Sequence, residues 1–105
     1  MAFWDNIRKP YRIEITPTDD HWEEGWNGYV RTEGTQYVIR INKNLPKEIQ
    51  KQVLKHELGH VYCNHLVTWW IDSDKAEQEA RDYADKMTDE TLSKLMNRAI
   101  RIDVL

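Results

Sequence analysis

The chain has 105 residues, 40% of them apolar and 31% charged, with a formal net charge of −3 and a single cysteine. That size allows one domain with one modest core, read as residues 1–105. The charge argues against a nucleic-acid surface, the lone cysteine against a disulfide framework, and no run of residues is apolar enough for a signal peptide or a membrane span. The expectation is a cytoplasmic protein with neither nucleic-acid nor membrane partners.

Strands come first. In Tyr11-Arg12-Ile13-Glu14-Ile15-Thr16 apolar and polar residues alternate, the pattern of a half-buried strand. Residues 17–28 carry Pro17, two aspartates, Gly25, Asn27 and Gly28 and read as loop. Residues 29–32 and 36–42 form two more strands, joined by a hairpin turn at Glu33-Gly34. The result is a small antiparallel sheet of about three strands, with Tyr37–Asn42 as a possible edge for an extended peptide. Trp22, Trp26, Trp69 and Trp70 fall in expected loops, where they would line a groove.

Three helices follow. Asn44-Leu45-Pro46 opens the first, which should run to about Leu66, because proline suits a first helical turn. The second runs from near Asp74 to about Met87. Thr88 caps a third, whose apolar stripe is Leu92, Leu95, Met96, Ala99 and Ile100. Strands followed by helices make an α+β fold.

The first helix carries His56-Glu57-Leu58-Gly59-His60, a match to H-E-x-x-H. Residues four apart stack on one helical face, so both imidazoles can reach one ion. Zinc accepts imidazole nitrogen and is commonly four-coordinate. Glu57 lies about 100° round the helix from His56, off the ligand axis but able to take a proton from a water beside the metal. His65, nine places after His56, would point the opposite way on a continuous helix. No glycine between His60 and His65 breaks that helix, so His65 is set aside as a ligand. Cys63 reads as a small buried residue. The second helix offers Glu77 and Glu79 as a third ligand, and helical phase does not choose between them. Asp74 and Glu77 also resemble a capping box, while Glu79 suits a solvated face.

HELGH at 56–60 followed by EQEARDYA at 77–84 resembles the ImmA/IrrE-type zinc metallopeptidases. Their pattern is approximately H-E-x-G-H, then E-x-x-A-N-x-F-A. Gly59, Ala80, Tyr83 and Ala84 match the small and aromatic places. Arg81 stands where asparagine is common, and Asn64 where a histidine is often found, with His65 one place later. The resemblance spans roughly residues 35 to 87. It implies a compact gluzincin-like fold, zinc, Glu77 as third ligand, and proteolysis in a bacterial cell or its phage, often of a repressor encoded nearby on a mobile element.

The expected activity is therefore hydrolysis of a peptide bond in a specific cytosolic protein, with a transcriptional repressor of a phage or mobile element as the implied substrate. Zinc sits on His56, His60 and Glu77, and Glu57 is the general base. Tyr83, Tyr62 and His21 are candidate donors to the oxyanion. The alternative is a zinc-stabilised protein-binding module without turnover, marked by a fourth protein ligand such as His65 or Glu79.

Overall fold

The computed structural model describes residues 10–17, 27–63 and 73–104. His21, Asn64, His65 and all five tryptophans lie outside them, and with them the expected tryptophan-lined groove. Four strands and three helices are arranged as β1 (Tyr11–Thr16), β2 (Gly28–Glu33), β3 (Gln36–Asn42), α1 (Lys47–Tyr62), α2 (Ser73–Lys86), α3 (Asp89–Arg98) and β4 (Arg101–Val104).

The α+β order holds, but the sheet differs from the antiparallel three-stranded one expected. Among the described residues it has four strands in the order β2-β3-β1-β4 and is mixed. Only β2 and β3 pair antiparallel; β1 runs parallel to both β3 and β4, with Ile13 opposite Ile39 and Ile102. The three helices carry the chain from β3 to β4 as a crossover, the long connection that parallel strands require. The expectation of an edge at Tyr37–Asn42 is corrected too: β3 is interior, and among the described strands β2 and β4 are the edges. The hairpin turn sits one residue later than expected, at Gly34-Thr35, between the paired Glu33 and Gln36. Gly34 takes φ +61, a conformation that costs other residues more.

Parity along the strands divides the sheet. Tyr11, Ile13, Tyr37, Ile39 and Ile41 share one face and form a buried core with Leu54, Leu58 and Val61 of α1, Met87, and Leu92 and Leu95 of α3. The other face carries ion pairs from Arg12 to Glu14 and Glu33, and from Arg40 to Glu14. The Tyr11 hydroxyl donates to the Leu95 carbonyl, tying β1 to α3.

Pro46 precedes the first turn of α1 with φ −55. The helix ends at Tyr62, short of the expected Leu66, with the Cys63 N–H bonded to the Gly59 carbonyl at 3.0 Å. His65 is set aside on the basis of a continuous helix; it lies beyond this end, outside the described residues. Thr88 caps α3 as expected, accepting from the Thr91 N–H at 3.1 Å. Ile100 lies beyond the helix and is exposed, unlike Leu92 and Leu95 in the same expected stripe.

Candidate metal centre

Leu54, Leu58 and Val61 turn one stripe of α1 into the core. That fixes the helix's rotation and leaves His56 and His60 on the flank, half-buried and facing α2. How close α2 can come is set by Gly59, which is fully enclosed between the two helices. A Cβ there would meet the Ala80 carbonyl oxygen at 2.7 Å and the Ala80 Cα at 3.1 Å. With only a hydrogen at that point the backbones nearly touch, and Glu77, three residues before Ala80, is delivered to the two histidines.

Glu77 Oε2 lies 3.0 Å from His56 Nε2, and Glu77 Oε1 lies 3.0 Å from His60 Nε2. The two Nε2 atoms are 3.2 Å apart, with their rings perpendicular. Protons alone fit this triangle poorly while Glu77 is ionised. A proton on each Nε2 serves both carboxylate contacts but sets two N–H groups against each other. Removing one leaves a lone pair facing a carboxylate oxygen. A cation between the two nitrogens and the carboxylate satisfies all of them. Tetrahedral zinc, with bonds of about 2.0–2.1 Å, holds its ligand atoms about 3.3 Å apart, within a few tenths of an ångström of the spacing found. The donor set therefore fits zinc.

Among the described residues, His56, His60 and Glu77 are the group that converges in this way. Glu79 does not join it. Its charge acts on Cys63 and Tyr83 instead. The capping role considered for Glu77 is not the one found: Asp74 lies inside the first turn of α2, and the Glu77 carboxylate turns to α1.

Glu57 is buried, 7% exposed, on the same turn as His56. Burial, with the Glu77 charge adding to it, raises its pKa to about 8. That shift belongs to the metal-free centre, because a cation held by Glu77 would oppose it. Tyr62 and Tyr83, considered as oxyanion donors, pack ring on ring across the α1–α2 seam with centroids 4.6 Å apart, beside Cys63 and Glu79. In the sequence Gly59 and Ala80 stand out only as matches to the small places of the family pattern. Their contact across the helices is what joins the two halves of the site. Paired small residues at 59 and 80 were the available signal.

The family model described as the IrrE N-terminal-like domain of peptidase M78 matches residues 9–102, nearly the whole chain. No curated protein and no solved structure matches it.

Proposed function

The chain belongs to the M78 peptidases through its IrrE N-terminal-like domain, and from that premise we propose that it is a zinc-dependent metallopeptidase. One observation carries the reading: the nitrogens of His56 and His60 and the carboxylate of Glu77 meet within hydrogen-bonding distance, with buried Glu57 on the same helical turn as His56. His56, His60 and Glu77 would hold the ion. Three protein ligands rather than four suit a catalytic site, which keeps a place for water or substrate. A bound zinc supplies Lewis-acid polarisation of the scissile carbonyl and acidification of water.

The chain's own residues do the rest. Glu57 takes the proton from the attacking water and returns it to the leaving amine. Its burial keeps bulk water from competing for that proton. Glu77 is half-exposed, so a peptide can reach the centre from solvent. The β2 edge packs beside α1 and offers main-chain groups to which an extended substrate can add as a strand. The substrate class follows from the family resemblance: a specific cytosolic protein, foremost a transcriptional repressor of a phage or mobile element.

The test pairs metal content with turnover. Protein purified without added zinc should retain one zinc per chain. Glu57→Gln should keep that zinc and cleave repressors encoded by neighbouring genes about 10²–10⁴-fold more slowly. Unchanged cleavage by Glu57→Gln would remove the base, and a chain that binds no zinc would remove the centre.

A further inference from the structure

The helix-facing side of the sheet is apolar for one strand more than the helices cover. Ile102 and Val104 of β4 stand in register with Ile13 and Ile15 of β1. Ile13 is fully buried, yet Ile102 is 40% exposed, Val104 62% and Ile100 59%. Exposed apolar residues on a sheet edge invite another strand.

The main chain of this edge faces outward. Tyr37 donates to the Pro10 carbonyl, so the parallel ladder turns the main-chain groups of Arg12 toward β3 and those of Tyr11 and Ile13 toward β4. On β4 the partners of that ladder are Arg101 and Asp103. Ile102 and Val104 therefore direct their N–H and C=O groups away from β1. The Ile100 N–H is turned back to the Tyr11 carbonyl, leaving its C=O.

The sequence Ile100-Arg101-Ile102-Asp103-Val104 is complementary to itself when reversed. We propose that β4 is an isologous dimer edge, pairing antiparallel with β4 of a second copy about a two-fold axis at Ile102. In that register Ile102 meets Ile102 of the partner subunit as a hydrogen-bonded pair. Val104 meets Ile100 of the partner subunit, and each Val104 N–H finds a carbonyl. Arg101 falls opposite Asp103 of the partner subunit in the non-hydrogen-bonded pairs, where side chains stand closest. Within one chain Arg101 Nε already reaches Asp103 at 2.8 Å, so both charges lie on the same face and can turn to the neighbour. The second copy is favoured over an unrelated strand because charge and apolar positions both match on reversal, as a two-fold interface requires. The strand is short, so the contact sits at the small, reversible end of interfaces. The inference is independent of the catalytic reading.

Sedimentation velocity on the full chain tests it. The wild-type mean mass should rise with concentration from 12.6 kDa toward twice that value. Arg101→Asp alone and Asp103→Arg alone each place like charges across the axis twice and should weaken association about tenfold. An equal mixture of the two should restore it, because every cross-axis pair becomes opposite in charge while the pairs inside each chain remain alike. Circular dichroism checks that both variants keep the wild-type fold, and Ile102→Lys, which puts like charges on the axis, serves as a second disruption. Wild type that remains at 12.6 kDa up to about a millimolar would overturn the proposal. So would single variants that associate as wild type does, or a mixture that stays monomeric.

Discussion

Replacing glycine by alanine inside a helix ordinarily stabilises a protein by about 1 kcal/mol, through backbone entropy and helix propensity. At Gly59 the opposite outcome is expected. The added Cβ would stand 2.7 Å from the Ala80 carbonyl oxygen, 3.1 Å from the Ala80 Cα and 3.3 Å from its carbonyl carbon. Carbon and oxygen normally approach to about 3.3 Å, so α2 must retreat by roughly half an ångström. The clashing atoms are main chain, so no rotamer change absorbs the strain, and Ala80→Gly should not rescue it. Overpacking of this kind costs about 1–3 kcal/mol, and after the propensity gain a net loss of about 1 kcal/mol remains. For a domain of this size that lowers the melting temperature by about 4–8 °C. The same retreat draws Glu77 away from His56 and His60, so zinc affinity should fall as well. Thermal melts followed by circular dichroism on metal-free protein, and chelator competition for zinc, read the two effects separately. A Gly59→Ala variant that melts higher than wild type and binds zinc equally well would refute the claim that this contact sets the site.

Glu77→Ala should lose stoichiometric zinc while Glu79→Ala keeps it, as read by metal analysis after dialysis; the reverse result would reassign the third ligand. The Tyr11 phenol is pushed up to about 12 by burial, so the fold favours its neutral form. Its contribution is complete below pH 10, the phenol's ordinary value, and is lost as pH rises from there toward 12. Tyr11→Phe should flatten that alkaline loss in urea titrations and, by removing the bond to Leu95, cost about 1 kcal/mol at neutral pH. Burial, with the Glu79 charge adding to it, raises the Cys63 thiol to about 11. Iodoacetamide at pH 8 should therefore find about 100-fold less thiolate than in a free cysteine, and Glu79→Gln should speed the reaction.

What could be read along the chain was whatever local chemistry decides. The alternation of Tyr11–Thr16, the Thr88 cap and the one-turn spacing of His56 and His60 each depend on neighbours a few residues away, and each emerged as expected. The resemblance to the peptidase family also rested on such local strings, and the match over residues 9–102 agrees with it. Other features depend on what meets across space. Period-two alternation describes a strand's faces but says nothing of its partners, so the parallel neighbours of β1 were invisible. The alternation of Ile100, Ile102 and Val104 was present too, yet its start was absorbed into a helical stripe until the chain turned at Ala99. Helical phase treats Glu77 and Glu79 of α2 alike. Only the approach of α2 to α1 at Gly59, where an absent side chain lets two backbones meet, brings one carboxylate to the imidazoles and sends the other toward Cys63.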